Sequence, residues 1–384
     1  MPVKQGTHYA LLDEVQLQKI EAMTDLILKD IGVTLKGDPQ SLAILEFAGA
    51  IVEGENVRIG RASLMAIIQA SAPKSFSWKG LESTVQLGTD ETYFAPMFGA
   101  PNIRRHDNSY TQSQFSDYQT LVKHCEDSPI MASSGYLLCI AHDIPEKVRH
   151  IAMLRAHLEL STKPVMGTVL SEIALQEVAI EANATEFHPG ECKLLHMINS
   201  TPPLTFQSNP LQCLRLASQL GQGCLVTSYM MMGATSPVTF FASLAQGLAE
   251  VLIGAALTQL YQPGVAVAAG LFATPFSMRK MLPAFGTMES HVAMLAGIQL
   301  IKRLGIPCRG DGLITSAKTH DSQAEFEGNN MLSASLLAGA DIILHSAGWL
   351  ENGRCVDIKK MEFDLQYIEG IQQKVNLDHN FLLP

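Results

Sequence analysis

The sequence predicts an α/β chain: a (β/α)8-type barrel behind an N-terminal α+β region. Three observations carry that expectation. Beyond residue 126, apolar strand-like runs alternate with helical patterns. The runs are apolar continuously and not at every second residue, as strands buried on both faces of a parallel sheet are. No glycine-rich dinucleotide fingerprint follows any strand, because GQGC at 221–224 precedes its strand, and this disfavours a doubly wound nucleotide-binding sheet.

The opening region is read as mixed. Apolar residues at 12, 15, 20, 23, 26, 27 and 31 recur at near-helical spacing and Gly32 supplies a stop, so 12–31 is a helix. Helices over 39–49 and 61–72 follow. IVEGENVRI, SFSWKG, STVQLG and ETYFAPM are short strands bounded by glycine or polar turns.

Seven strands are expected next, in IMASSGYLL, PVMGTVL, KLLHMIN, CLVTSYMMM, GVAVAAGLF, PCRGDGLI and DIILHSAGW. Helices are expected near 145–160, 171–186, 210–221, 237–262, 287–304 and 321–339. Ser236-Pro237 offers an N-cap and an N1 proline, and Asp321 or Thr319 a cap for the helix that runs to Gly339. The organisation is therefore an N-terminal α+β cap region over 1–125, the barrel over 126–350 and a C-terminal segment over 351–384 packing on it.

Composition narrows the function. The 384 residues are 47% hydrophobic and 17% charged, enough to bury a large core. A net charge of −10 without a basic block argues against nucleic acid or an anionic membrane as partner. No secretory leader is legible, so a cytoplasmic protein is expected, and a homo-oligomer is compatible with it. The seven cysteines are odd in number and lack a CxxC pair, and are read as reduced, packed thiols. The stretch over 238–261 is long and apolar enough to span a bilayer, but it carries Glu250 and lacks basic flanks, so a buried helix is expected.

In a barrel, chemistry is built at the carboxyl ends of the strands. There the sequence places Tyr229, Phe272, Phe276 and Trp349 as an aromatic cage for a cation, and Asp311 as its counter-charge. Asp311 lies between Gly310 and Gly312, which reads as a tight turn presenting a carboxylate. Arg279 and His345 also follow strands in this count. Lys318 and His320 are read equally well as acid, base or anion-binding groups and as solvated loop residues with no role. HPGEC at 188–192 holds potential zinc ligands but precedes a strand, and is taken as a turn.

Longer stretches resemble the trimethylamine methyltransferase (MttB-like) family. They are MMMGATSPVTFFASLAQGLAEVLIGAALTQLYQPGVAV, SMRK, GTMESHVAMLAGIQLIKRLGIPCRGDGLITSAKTHDSQAEFE and LLAGADIILHSAG, preceded by LKDIGVTL, EFAGAIVEGENVRI and ETYFAPMFGAPNI. The resemblance covers nearly the whole chain. It implies a TIM barrel that moves a methyl group from a methylated amine to the Co(I) of a cognate corrinoid protein, with no cofactor held permanently by the barrel. Only standard residues are present, which implies the non-pyrrolysine branch, acting on quaternary amines such as glycine betaine. Aromatic faces and Asp311 would hold the ammonium and Arg279 or His345 a carboxylate. The family usually continues beyond the last residue here, so the barrel is expected to be C-terminally shortened, or a strand such as PPLTFQ to complete the count. A non-catalytic amine-binding or partner-binding paralogue is the alternative.

Overall fold

The computed structural model describes residues 2–4 and 8–381, with side chains for 2, 3 and 8–374. The fold is mixed α/β around a curled parallel sheet. Val165–Gly167, Leu194–Asn199, Gly223–Met232 and Val267–Ser277 lie side by side, all parallel. A second parallel ladder pairs Arg309–Asp311 with Ile342–Leu344, and the latter with Glu91–Phe94. Parallel bridges join the two sets, Ala269 to Cys308 on one side, and Phe94 to Met131 and Gly135 to Val165 on the other.

The helices follow the strands as the patterning predicts: Glu146–Leu160, Glu172–Glu181, Ser208–Gln219, Phe240–Tyr261, Met288–Lys302 and Ser322–Ala338. Every residue from Ser243 to Gln259 is buried. That helix packs on the Gly223–Met232 and Val267–Ser277 strands and beneath the N-terminal helices Glu14–Leu26 and Arg61–Ser71. Its membrane-like composition is thus that of a helix enclosed on all sides by protein. Its N-cap is Thr239 and not Ser236, which is held in the preceding turn by Met231 and Gly233, with its Oγ 2.7 Å from Ser243 Oγ. Asp321 does cap its helix, accepting from the amides of Gln323 and Ala324, and Gly339 ends it at φ 73°.

Glu91–Phe94, which the sequence count did not include, adds a parallel strand to the second ladder, whereas the expected strand IMASSGYLL at 130–138 forms only the isolated bridges of Met131 and Gly135, so the core sheet draws on residues before the expected boundary at 125. Thr205–Phe206, the other contender, pairs instead with Val33–Leu35 in a side sheet with the Ile51–Glu53 and Asn56–Arg58 strands. Helix Phe115–Asp127 and the Asn102–Arg104 and Tyr110–Gln112 strands were not legible as such. Helix Ile358–Phe381 occupies most of the expected C-terminal segment, whose last three residues lie outside those described. All seven cysteines are free and buried. Burial holds the Cys224 thiol up at about 12, so it is an inert packing group.

Candidate functional site

A cavity of about 490 Å³ opens at the carboxyl ends of the strands. Asn199 ends one strand, Tyr229 and Met231 lie near the end of the next, and Phe272 belongs to the third. Asp311 ends Arg309–Asp311, and His345 follows Ile342–Leu344 directly.

One wall is aromatic. The rings of Tyr229, Phe272 and Phe285 are mutually stacked, with centroids 5.5 to 5.9 Å apart. Trp349 meets Phe285 edge-on at 5.8 Å and His345 at 4.5 Å. The polar atoms of this wall are tied back: the Tyr229 hydroxyl lies 3.0 Å from Thr274 Oγ1, and Trp349 Nε1 donates to the Thr315 carbonyl at 3.1 Å. What this wall offers a ligand is therefore aromatic surface and not free polar atoms, and aromatic rings attract cations.

Another part of the lining is charged. Asp311 is 2% exposed, and its Oδ1 accepts from Arg309 Nη2. Residues two apart on a strand face the same way, which brings both into the interior. His345 Nε2 lies 3.8 Å from the same Oδ1. The Phe98 amide donates to His345 Nδ1 at 3.2 Å, so a neutral imidazole carries its proton on Nε2, toward Asp311. Burial, reinforced by Arg309, pushes the His345 pKa well below the ordinary value. Burial also raises the Asp311 carboxyl, with Arg309 pulling it back. His345 sits at φ 54°, a left-handed conformation that a bulky side chain adopts only when its surroundings dictate it.

Gly310 and Gly312 serve packing and not the expected tight turn, Gly310 lying within the strand itself. A Cβ on Gly310 would lie 2.6 Å from Ser335 Oγ, and one on Gly312 2.7 Å from the Ser346 Cα. Behind Asn199, Glu250 accepts from Ser200 Oγ at 2.5 Å, Ser228 Oγ at 2.7 Å, the Leu204 amide at 2.8 Å and Gln246 Nε2 at 3.1 Å. Burial raises its carboxyl while these four donors oppose the shift. Its role is to fix the loop that carries Ser200 and Thr201 along the cavity.

Of the seven expected site residues, Tyr229, Phe272, Asp311, His345 and Trp349 line this cavity. Phe276 and Arg279 do not. The strand runs past the sheet into an antiparallel pairing of Phe276 with Pro283, which carries Arg279 to an exposed turn. The returning chain places Phe285 in the wall instead. Phe285 and Arg309 were missed: Arg309 was legible from its i, i+2 relation to Asp311, whereas nothing periodic marks Phe285. Lys318 is exposed, and His320 packs on the Phe363 ring at 4.6 Å. In HPGEC the Glu191 amide donates to the His188 carbonyl at 3.0 Å, forming the expected turn. Among the described residues no group of three or more His, Cys, Asp or Glu is arranged to hold a metal.

Comparison with known proteins places this architecture. The chain is 31% identical over 375 residues to the glycine betaine methyltransferase of Desulfitobacterium hafniense (strain Y51), covering 94% of this chain and 78% of that one. It is 24% identical over 342 residues to the proline betaine:corrinoid methyltransferase of Eubacterium limosum, covering 85% and 69%. Among solved structures, the monomethylamine methyltransferase of Methanosarcina barkeri superposes with a TM-score of 0.58 at 11% identity, over 97% of this chain and 82% of that one, a likeness of fold alone. The family model for trimethylamine methyltransferase matches residues 1–377, and the chain belongs to that family.

Proposed function

We propose that this protein is a corrinoid-dependent methyltransferase that takes a methyl group from a quaternary ammonium compound bearing a carboxylate, a betaine, and delivers it to a separate corrinoid protein. The observation that carries the reading is the stack of Tyr229, Phe272 and Phe285, with Trp349 at its edge, in one cavity with the buried Asp311–Arg309 pair. Ring faces and a carboxylate suit a quaternary ammonium. Arg309 makes the side-chain charges of the wall sum to zero, which suits a zwitterion, and its Nε is buried without a partner. A cavity of about 490 Å³ is of the size that small ligands use.

A quaternary nitrogen already bears the charge that makes the tertiary amine a leaving group, so the residues need supply no proton. As the methyl departs, the C–N electrons return to nitrogen, which becomes a neutral tertiary amine, and the carboxylate leaves the product with a net charge of −1. The cation's attraction to the rings and to Asp311 is lost with its charge, which favours release. The corrinoid, carried by the partner, supplies the nucleophile. The work of this chain is to orient the ammonium with one methyl toward the mouth and to exclude water from the aromatic wall.

The reading includes a closed (β/α)8 barrel with Glu91–Phe94 as its first strand, an N-terminal cap before it, a C-terminal helix packed outside and a cytoplasmic site of action. It is tested by mixing the protein with a Co(I) corrinoid protein and a panel of glycine betaine, proline betaine, carnitine and trimethylamine, and following cobalt methylation by absorbance. Methylation with at least one betaine is expected. Saturable betaine binding without methylation would establish the non-catalytic paralogue instead.

A further inference from the structure

Two side chains on the Ile358–Phe381 helix lie outside the cavity yet hold both of the loops that wall its charged side. Lys360 is 1% exposed and Asp364 3%, unusual burial for these residue types. Lys360 Nζ donates to Asp364 Oδ2 at 2.6 Å and to the Leu313 carbonyl at 3.3 Å. The same Oδ2 accepts the Gly348 amide at 2.8 Å. Leu313 precedes Ile314 and Gly348 precedes Trp349, and both of those residues face the cavity. One ion pair therefore fastens the loop after Arg309–Asp311 to the loop after Ile342–Leu344. The helix start is itself anchored: the Lys360 amide donates to Asp357 Oδ1 at 2.8 Å, and the Asp357 amide to the Gly348 carbonyl at 2.9 Å.

Burying an ion pair seldom improves stability over apolar residues of the same volume, because desolvation cancels most of the attraction. What such a pair supplies is direction. Charge-assisted hydrogen bonds fix the atoms they join within narrow limits of distance and angle. Here those atoms are two backbone groups, each one residue away from a cavity wall.

We infer that Lys360 and Asp364 are positioning residues, which set the Trp349 ring and the Ile314 side chain in the cavity from outside it. The inference rests on the amine reading for the ligand, though not for the geometry of the loops.

The chain has two tryptophans, so Trp78→Phe leaves Trp349 as sole fluorescent reporter. In that background, Lys360→Met and Asp364→Asn are expected to red-shift Trp349 emission, to increase its quenching by acrylamide and to raise the glycine betaine Kd about tenfold, the scale of one misplaced contact. The control is Lys163→Met. Lys163 Nζ donates to the carbonyls of Cys125, Glu126 and Ser128, none of which lines the cavity. It should lower thermal stability while leaving emission and Kd at the parent values. If Lys360→Met and Asp364→Asn behave like that control, the inference is overturned. If the parent protein binds no betaine, the amine reading fails, and Trp349 emission still decides the positioning role. Should both variants fail to fold, hydrogen exchange on the unaltered protein decides it. Peptides spanning 312–316, 345–350 and 358–365 are expected to exchange as one unit, and independent exchange refutes the clamp.

Discussion

Replacing Asp311 by Asn keeps the shape of the charged wall and removes its one negative charge. A quaternary nitrogen held about 5 Å from the carboxylate, at an effective dielectric of about 20, gains about 3 kcal/mol from it. Its loss corresponds to about a hundredfold in affinity. The substitution also leaves Arg309 as an uncompensated cation at 7% exposure beside the incoming ammonium, which adds repulsion of the same sign. Isothermal titration of glycine betaine into the two proteins, each well below its own Tm, measures the difference. The pH dependence gives a second check. Burial holds the Asp311 carboxyl above the ordinary carboxylate range, with Arg309 opposing, and a cation selects the ionised form. Betaine affinity of the parent should therefore fall as pH drops through that raised pKa and level off above it, whereas Asp311→Asn should show no such step. For the ligand-free fold the sign is opposite. A raised acid pKa means the folded chain holds the proton more tightly, so this group's contribution to stability is present below the unfolded carboxylate pKa and lost as pH rises through the folded value. Affinity within threefold of the parent for Asp311→Asn would refute the assignment of Asp311 as counter-charge.

Two further outcomes separate the wall from its surroundings. Phe285→Leu keeps most of the apolar volume and removes a ring that touches Tyr229, Phe272 and Trp349; betaine affinity should fall about tenfold through lost cation–π attraction, read by the same titration. Arg279→Glu, on the exposed turn beyond the cavity, should leave both the betaine Kd and the Tm unchanged, and a tenfold loss would return Arg279 to the site.

The legible parts of the site were those written in regular strands. Tyr229, Phe272, Asp311 and His345 stand at the carboxyl ends of continuous apolar runs, and a strand end is where a barrel places its chemistry. Phe276 and Arg279 were misplaced because one apolar run continues into a hairpin, and periodicity does not reveal where a strand leaves its sheet. Glu250 gave a different kind of signal. A lone acid in a 22-residue apolar helix is costly unless paired, yet its partners Ser200, Leu204 and Ser228 lie 22 to 50 positions away, beyond the reach of local patterning. Glu91–Phe94 was legible as a strand but not as a core one, since only four residues carry it and its partner is remote in sequence.

That partner sets the order of assembly. The Thr92 hydroxyl donates to the Ala340 carbonyl across 248 positions of chain, and closing so long a loop costs about 5 kcal/mol in the logarithmic term alone. On the ribosome the Glu91–Phe94 strand emerges early and keeps one edge open until Ile342–Leu344 has been made. The wall formed by Asp311, His345 and Trp349 is assembled in that same late step. On the proposed function, a betaine would stabilise the finished protein by mass action and offer nothing to the nascent chain, whose strand edge stays open until that step.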